Sequence, residues 1–103
     1  MIKRIQSGIS SRDLGFDYLS FIQKSAVKLG LTGNICTRDD GTIRVTAEGE
    51  EENLAILAQE IEKNTTFGPV QNFYVDWEEP LGQFADFSIT TSEGTISMTK
   101  TEE

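Results

Sequence analysis

The sequence of 103 residues contains no histidine and a single cysteine, Cys36. Histidine is the commonest general base and zinc ligand in proteins, so its absence argues against a transition-metal site. One cysteine cannot form an internal disulfide. Its place inside a predicted strand favours a buried, unreactive thiol. We therefore expect no bound metal and no cofactor.

Basic residues are also scarce, with nine against seventeen acidic residues and a net charge of −8. Nucleic acids and anionic lipid surfaces are bound through clustered Lys and Arg, so we expect neither as a partner. No apolar run approaches the ~20 residues that span a membrane. The first residues, Met1 to Ser7, lack the apolar stretch of a signal peptide. These features predict an acidic cytoplasmic protein.

The apolar residues that are present predict two helices. From Gly15 to Leu29 they recur every three or four positions, and Gly30 follows as a typical helix stop. A second helix is predicted from about Glu50 to Lys63. Its buried residues are predicted to be Leu54, Leu57, Ala58 and Ile61.

Strands are predicted before, between and after these helices. The predicted strands are residues 2–9, a hairpin of 34–38 and 42–48 around Asp39-Asp40-Gly41, then Val70–Trp77 and a strand with Phe84, Phe87 and Ile89. In the hairpin, Ile43, Val45 and Ala47 are predicted to face inward, whereas Arg44, Thr46 and Glu48 face outward. In the following strand the predicted inward positions are Val70, Phe73, Val75 and Trp77. The order predicts an α+β, ferredoxin-like sandwich, βαββαβ with a short extra C-terminal strand. Its two helices would lie on one face of a mostly antiparallel sheet.

A domain boundary is predicted near residue 90. Residues 1–90 would form the sandwich, and residues 91–103 a polar C-terminal extension. Within the extension, Ile96 and Met98 can extend the last strand into a hairpin, after which the polar end would be frayed.

Several segments together resemble the acylphosphatase family, whose members hydrolyse carboxyl-phosphate anhydrides. They are Gly15-Phe16-Asp17, Ala26 to Gly33, Asp39 to Gly49, Gly68-Pro69-Val70, Val75 to Glu79, Gly82-Gln83-Phe84 and Phe87-Ser88-Ile89. The resemblance covers roughly residues 5 to 90. It implies the acylphosphatase-like sandwich and a phosphate site at the start of the first helix.

The resemblance also implies particular site residues. The anion-binding loop would be Arg12, Asp13, Leu14, Gly15 and Phe16, with backbone N–H groups forming a cradle. The family's catalytic arginine and asparagine correspond to Asp17 and Thr37, which makes both positions non-functional in the family mechanism. Asp17 would instead occupy the anion site as a carboxylate, and Arg12 or Arg38 could fold back to replace the missing cation.

These residues are compatible with two main functions. The first is an acylphosphatase-like domain without hydrolase activity, serving as a binding or interaction module for an unknown protein partner. The alternative is an acylphosphatase that hydrolyses acyl phosphates with a rearranged anion-binding loop. A third hypothesis, a sensor that uses the loop to bind a small anion or metabolite, lies between them. The partner expected at the loop is a weakly bound small anion, phosphate or acyl phosphate.

Overall fold

The computed structural model describes residues 1–10, 16–37, 42–63, 71–91 and 94–98. The predicted hairpin turn at Asp39-Asp40-Gly41 lies outside them. The elements in chain order are β1 (Ile2–Ser10), α1 (Phe16–Lys28), β2 (Thr32–Thr37), β3 (Thr42–Glu50), α2 (Glu51–Glu62), β4 (Gln71–Glu78), β5 (Phe87–Thr91) and β6 (Gly94–Met98).

The strands form one sheet in the order β4-β1-β3-β2-β5-β6. All neighbouring strands are antiparallel except β2 and β5, which run parallel. This arrangement confirms the predicted ferredoxin-like α+β sandwich. β6 pairs with β5 so that the sheet continues past residue 90. The division at residue 90 stays a prediction.

Both helices pack on one face of the sheet, α1 over β2 and β5 and α2 over β1 and β3. The core between them contains Ile5, Ile9, Leu19, Ile22, Ala26, Ile35, Ile43, Val45, Ala47, Leu54, Leu57, Ile61, Phe87 and Ile89. The predicted inward positions of β3 and most of those of α2 are therefore confirmed, with Ala58 only half-buried. The opposite face of the sheet carries no helix among the described residues, and we call it the open face.

The end of α1 shows why the predicted helix stop is correct. Gly30 has a φ of +74°, a left-handed conformation that glycine adopts without strain. The backbone N–H of Leu31 then donates to the carbonyl oxygen of Ala26 at 2.9 Å, which satisfies one of the last carbonyls of the helix.

The predictions for Trp77, Phe84 and Cys36 were wrong. Trp77 is 48% exposed, because β4 is an edge strand and α2 covers β1 and β3 instead. Phe84 was predicted to belong to the last strand with Phe87 and Ile89. It precedes β5 instead, and its ring lies over Arg4 on the open face. Cys36 is only half-buried, since its alternating position in β2 places it on the open face beside Arg44 of β3.

Candidate functional site

Three chain segments meet at one end of the sheet, where the resemblance places the phosphate site. Ser10, the last residue of β1, pairs with Thr42, and Thr37, the last residue of β2, pairs with Ile43. α1 begins at Phe16, six residues after Ser10. The end of β1, the start of α1 and the end of β2 are thus brought to the same end of the sheet.

Asp17 lies in the first turn of α1 with an exposed side chain. A carboxylate in this position interacts favourably with the unpaired N–H groups and the dipole of the helix, by about 0.3–1 kcal/mol. The same field would attract a bound phosphate. A carboxylate at Asp17 and a bound anion would therefore be stabilised by the same end of α1.

Thr37 is half-buried at the end of β2. It alternates with Cys36 and shares the sheet face of Ile35, which is fully buried beneath the helices. Its hydroxyl therefore belongs to the same sheet face as α1 and can hydrogen-bond a water or an anion there. Phe16 begins α1, while Arg12, Asp13, Leu14, Gly15 and Arg38 lie outside the described residues.

A second polar cluster, which the sequence did not predict, lies on the open face at the opposite end of the sheet. Arg4 of β1 lies directly opposite Glu48 of β3 in the antiparallel pairing. The two side chains form an ion pair, with Arg4 Nη1 2.8 Å from Glu48 Oε2. Glu48 also accepts hydrogen bonds from the backbone N–H groups of Leu81 and Gly82 at 2.8 and 3.0 Å. The cluster holds the segment that follows β4 against the sheet.

Glu48 was predicted to face solvent, yet it is only 5% exposed. Glu48 points to the open face, as the alternation along β3 predicts, but the segment around Leu81 covers its side chain there. Burial alone would raise the pKa of the carboxyl group. The hydrogen bonds from Leu81, Arg4 and Gly82 outweigh burial, so the pKa of Glu48 falls below its ordinary value of 4.5. The cluster therefore keeps Glu48 ionised.

Arg4 has further partners in the same cluster. Its Nη1 donates to the side-chain oxygen of Gln83 at 3.2 Å, and its Nε lies 3.2 Å from a carboxylate oxygen of Glu78. The guanidinium lies 5.7 Å from the centre of the Phe84 ring, within cation–π range. Arg4 is thus committed to the fold and does not provide a free cation for a ligand.

The described ranges contain neither a metal-ligand cluster nor a membrane-spanning helix. No three or more Asp, Glu, Cys or His residues come together there in a way that could hold a metal ion. Nor does either helix of that part of the chain have the length and apolar character needed to cross a membrane.

Comparisons with known proteins agree with this fold. Residues 14–89 match the family model described as Acylphosphatase. An acylphosphatase of Bacillus licheniformis is 35% identical over 82 residues, which cover 80% of this chain and 91% of the relative. One from Geobacillus thermodenitrificans is 31% identical over 93 residues, covering 90% and 99%. The crystal structure of acylphosphatase from Bacillus subtilis superposes with a TM-score of 0.76 at 28% identity, covering 86% and 98%.

The matched family model spans most of the chain, and the relatives are covered over nearly their full length. The chain therefore belongs to the acylphosphatase family.

Proposed function

We propose that this chain binds acyl phosphates at the N-terminal end of α1 and hydrolyses their carboxyl-phosphate bond. The observation that supports this proposal most strongly is the near-complete coverage of relatives named acylphosphatase, together with the same fold. The relatives favour hydrolysis over the hypothesis of an inactive interaction module.

The geometry suggests how the substrate would be held. Its phosphoryl group would accept hydrogen bonds from backbone N–H groups at the start of α1, where the helix dipole favours negative charge. Thr37, at the end of β2 and on the helix side of the sheet, would orient the attacking water. Asp17 stands where the resemblance places the family arginine, so another residue must supply the cation. In this proposal it is Arg12 or Arg38, and the anion-binding loop is rearranged accordingly.

Asp17 would then limit the rate, because its carboxylate repels the phosphoryl group. Two like charges about 8 Å apart interact by roughly 2 kcal/mol at an effective dielectric of about 20. At ~1.4 kcal/mol per tenfold change in rate, removing this charge would accelerate the reaction about tenfold or more. The natural protein is therefore expected to be a slow acylphosphatase.

The test is hydrolysis of benzoyl phosphate by the natural protein and by Asp17→Asn. We expect saturable turnover that increases about tenfold in the variant. Glu52→Gln is the matched control, since Glu52 is exposed in the first turn of α2. α2 starts where β3 ends, at the opposite end of the sheet, so the control should leave the rate unchanged. Loss of turnover in only one of the two single variants, Arg12→Gln or Arg38→Gln, would assign the cation to that arginine.

A second candidate is the binding module without turnover, and the side chains at two positions favour it. Asp17 and Thr37 stand where the resemblance places the family arginine and asparagine. Absence of turnover in the natural protein, with turnover appearing in the double variant Asp17→Arg/Thr37→Asn, would establish this second candidate. Absence of turnover in both proteins would exclude the proposed site altogether.

A further inference from the structure

A cavity of about 290 Å³ lies on the open face of the sheet, on the other side from the helices. It is formed where the C-terminal part of β1 lies between the N-terminal parts of β3 and β4. Its lining residues are Gly8, Ile9, Ser10, Thr42, Ile43, Arg44, Asn72 and Tyr74. The volume is close to the lower limit of pockets that hold small organic ligands.

An irregularity in the pairing of β1 with β4 shapes one wall of this cavity. Gly8 pairs with Tyr74 and Ser10 with Gln71, so β4 advances three residues while β1 advances two. β4 therefore carries one extra residue. Asn72, within this bulge, has a φ of +55°, and its Nδ2 donates a hydrogen bond of 2.9 Å to Ser10 Oγ. Bulges re-aim side chains and are frequent beside functional sites.

An aromatic ring forms another wall. The ring of Tyr74 lies directly over Gly8, because a Cβ atom at that position would come within 2.2 Å of Tyr74 Cε1. The glycine leaves space for the ring to lie close to β1. Tyr74 remains 42% exposed, so part of the side chain is still accessible to a ligand. A planar ligand could stack against it.

The one charged residue in the described part of the lining, Arg44, is opposite in sign to the net charge of the chain. Arg44 is exposed, and it forms no ion pair with any residue of the described ranges. Its lining among the described residues includes no Asp or Glu, in a protein whose net charge is −8. Because Ser10 Oγ accepts the hydrogen bond from Asn72, the Ser10 hydroxyl proton can be donated to a further acceptor.

We propose that this cavity binds a small aromatic monocarboxylate. The planar guanidinium of Arg44 matches a carboxylate in two parallel hydrogen bonds, and a single cation suits a single negative charge. The aromatic body of the ligand would stack on Tyr74, and the Ser10 hydroxyl would donate to the carboxylate. This site is separate from the proposed acyl phosphate site, which lies on the helix side of the sheet, and it does not depend on hydrolysis.

The probe is sodium benzoate, titrated into ¹⁵N-labelled protein at constant ionic strength and followed by two-dimensional NMR. We expect saturable shifts of the Gly8, Arg44 and Tyr74 amide signals with a Kd on the order of 1 mM. Cyclohexanecarboxylate, which keeps the charge and the size but lacks the aromatic ring, should bind at least about threefold more weakly. Benzamide, which keeps the ring but lacks the charge, should not saturate.

Two variants and a matched control assign the contacts. Arg44→Gln should weaken benzoate binding about tenfold or more, and Tyr74→Leu about threefold or more. Lys24→Gln removes the same charge from an exposed position on α1, on the other side of the sheet, and should leave the Kd unchanged. The three variants change exposed side chains, and their melting temperatures verify that they fold.

Several outcomes would overturn the proposal. One is a response that does not saturate below about 20 mM benzoate, roughly twentyfold above the expected Kd. Another is equal weakening by Lys24→Gln and Arg44→Gln, which would indicate attraction by overall charge alone. Shifts confined to the first turn of α1 would place benzoate at the acyl phosphate site instead. Tighter binding of inorganic phosphate than of benzoate, seen in the amide signals of Gly8, Arg44 and Tyr74, would contradict the chemistry proposed for the cavity.

Discussion

Arg4 and Arg44 lie on the same face of the same sheet, yet their surroundings differ completely. Arg4 is 8% exposed and contacts Glu48, Glu78, Gln83 and Phe84. Arg44 is exposed and forms no ion pair within the described part of the chain. The segment after β4 covers the end of the face where Arg4 lies, whereas the bulge in β4 leaves a cavity beside Arg44. The covering segment therefore decides which arginine stabilises the fold and which is available to a ligand.

The largest effect on stability is expected from Arg4→Leu. This change leaves the buried carboxylate of Glu48 without its cation, retaining only the two backbone N–H groups of Leu81 and Gly82. Removing one partner of a buried ion pair typically costs about 3–5 kcal/mol. Since two hydrogen bonds to Glu48 remain, we expect the free energy of unfolding to fall by about 3 kcal/mol, measured by urea denaturation.

The double variant Arg4→Leu/Glu48→Leu sharpens this prediction. Apolar replacement of both partners removes the unpaired charge, so the double variant should be more stable than Arg4→Leu alone. Equal or lower stability of the double variant would mean that Glu48 is needed chiefly for its bonds to Leu81 and Gly82. In that case the ion pair itself would contribute little.

A smaller effect is expected from acid. The pKa of Glu48 is lower in the folded protein than its ordinary value of 4.5, so the ionised carboxylate stabilises the folded state above that pH. This contribution is lost as the pH falls below 4.5 and through the lower folded pKa. In Glu48→Gln, that part of the acid dependence of the unfolding free energy should disappear. The exposed Glu62→Gln on α2 is the control and should retain it.

Much of the fold follows from the sequence, because alternation in β3 and the three- and four-residue spacing in α1 are periodic signals of burial. The buried positions Ile43, Val45 and Ala47 were predicted for this reason. Alternation gives only the face of a side chain, however, and it cannot show what lies above that face. The burial of Glu48 and the exposure of Trp77 depend on contacts between segments far apart in the sequence.

The two candidate sites also differ in whether the sequence could predict them. The family resemblance predicted Asp17 and Thr37 as site positions from their spacing to Gly15 and Gly33, and the structure brings their two elements to one end of the sheet. The cavity beside Arg44 has no such signal. It arises from the left-handed conformation of Asn72 and from the absence of a side chain at Gly8, neither of which has a periodic pattern.

The smallest effect is expected from Arg44→Leu. Exposed side chains without specific partners usually change stability by less than about 0.5 kcal/mol when substituted, and Arg44 belongs to that class within the described residues. The urea midpoint should therefore stay close to that of the natural protein while benzoate binding is lost. A loss of stability comparable to that of Arg4→Leu would show that Arg44 is also committed to the fold. The contrast between the two arginines, and with it the assignment of the cavity to a ligand, would then be wrong.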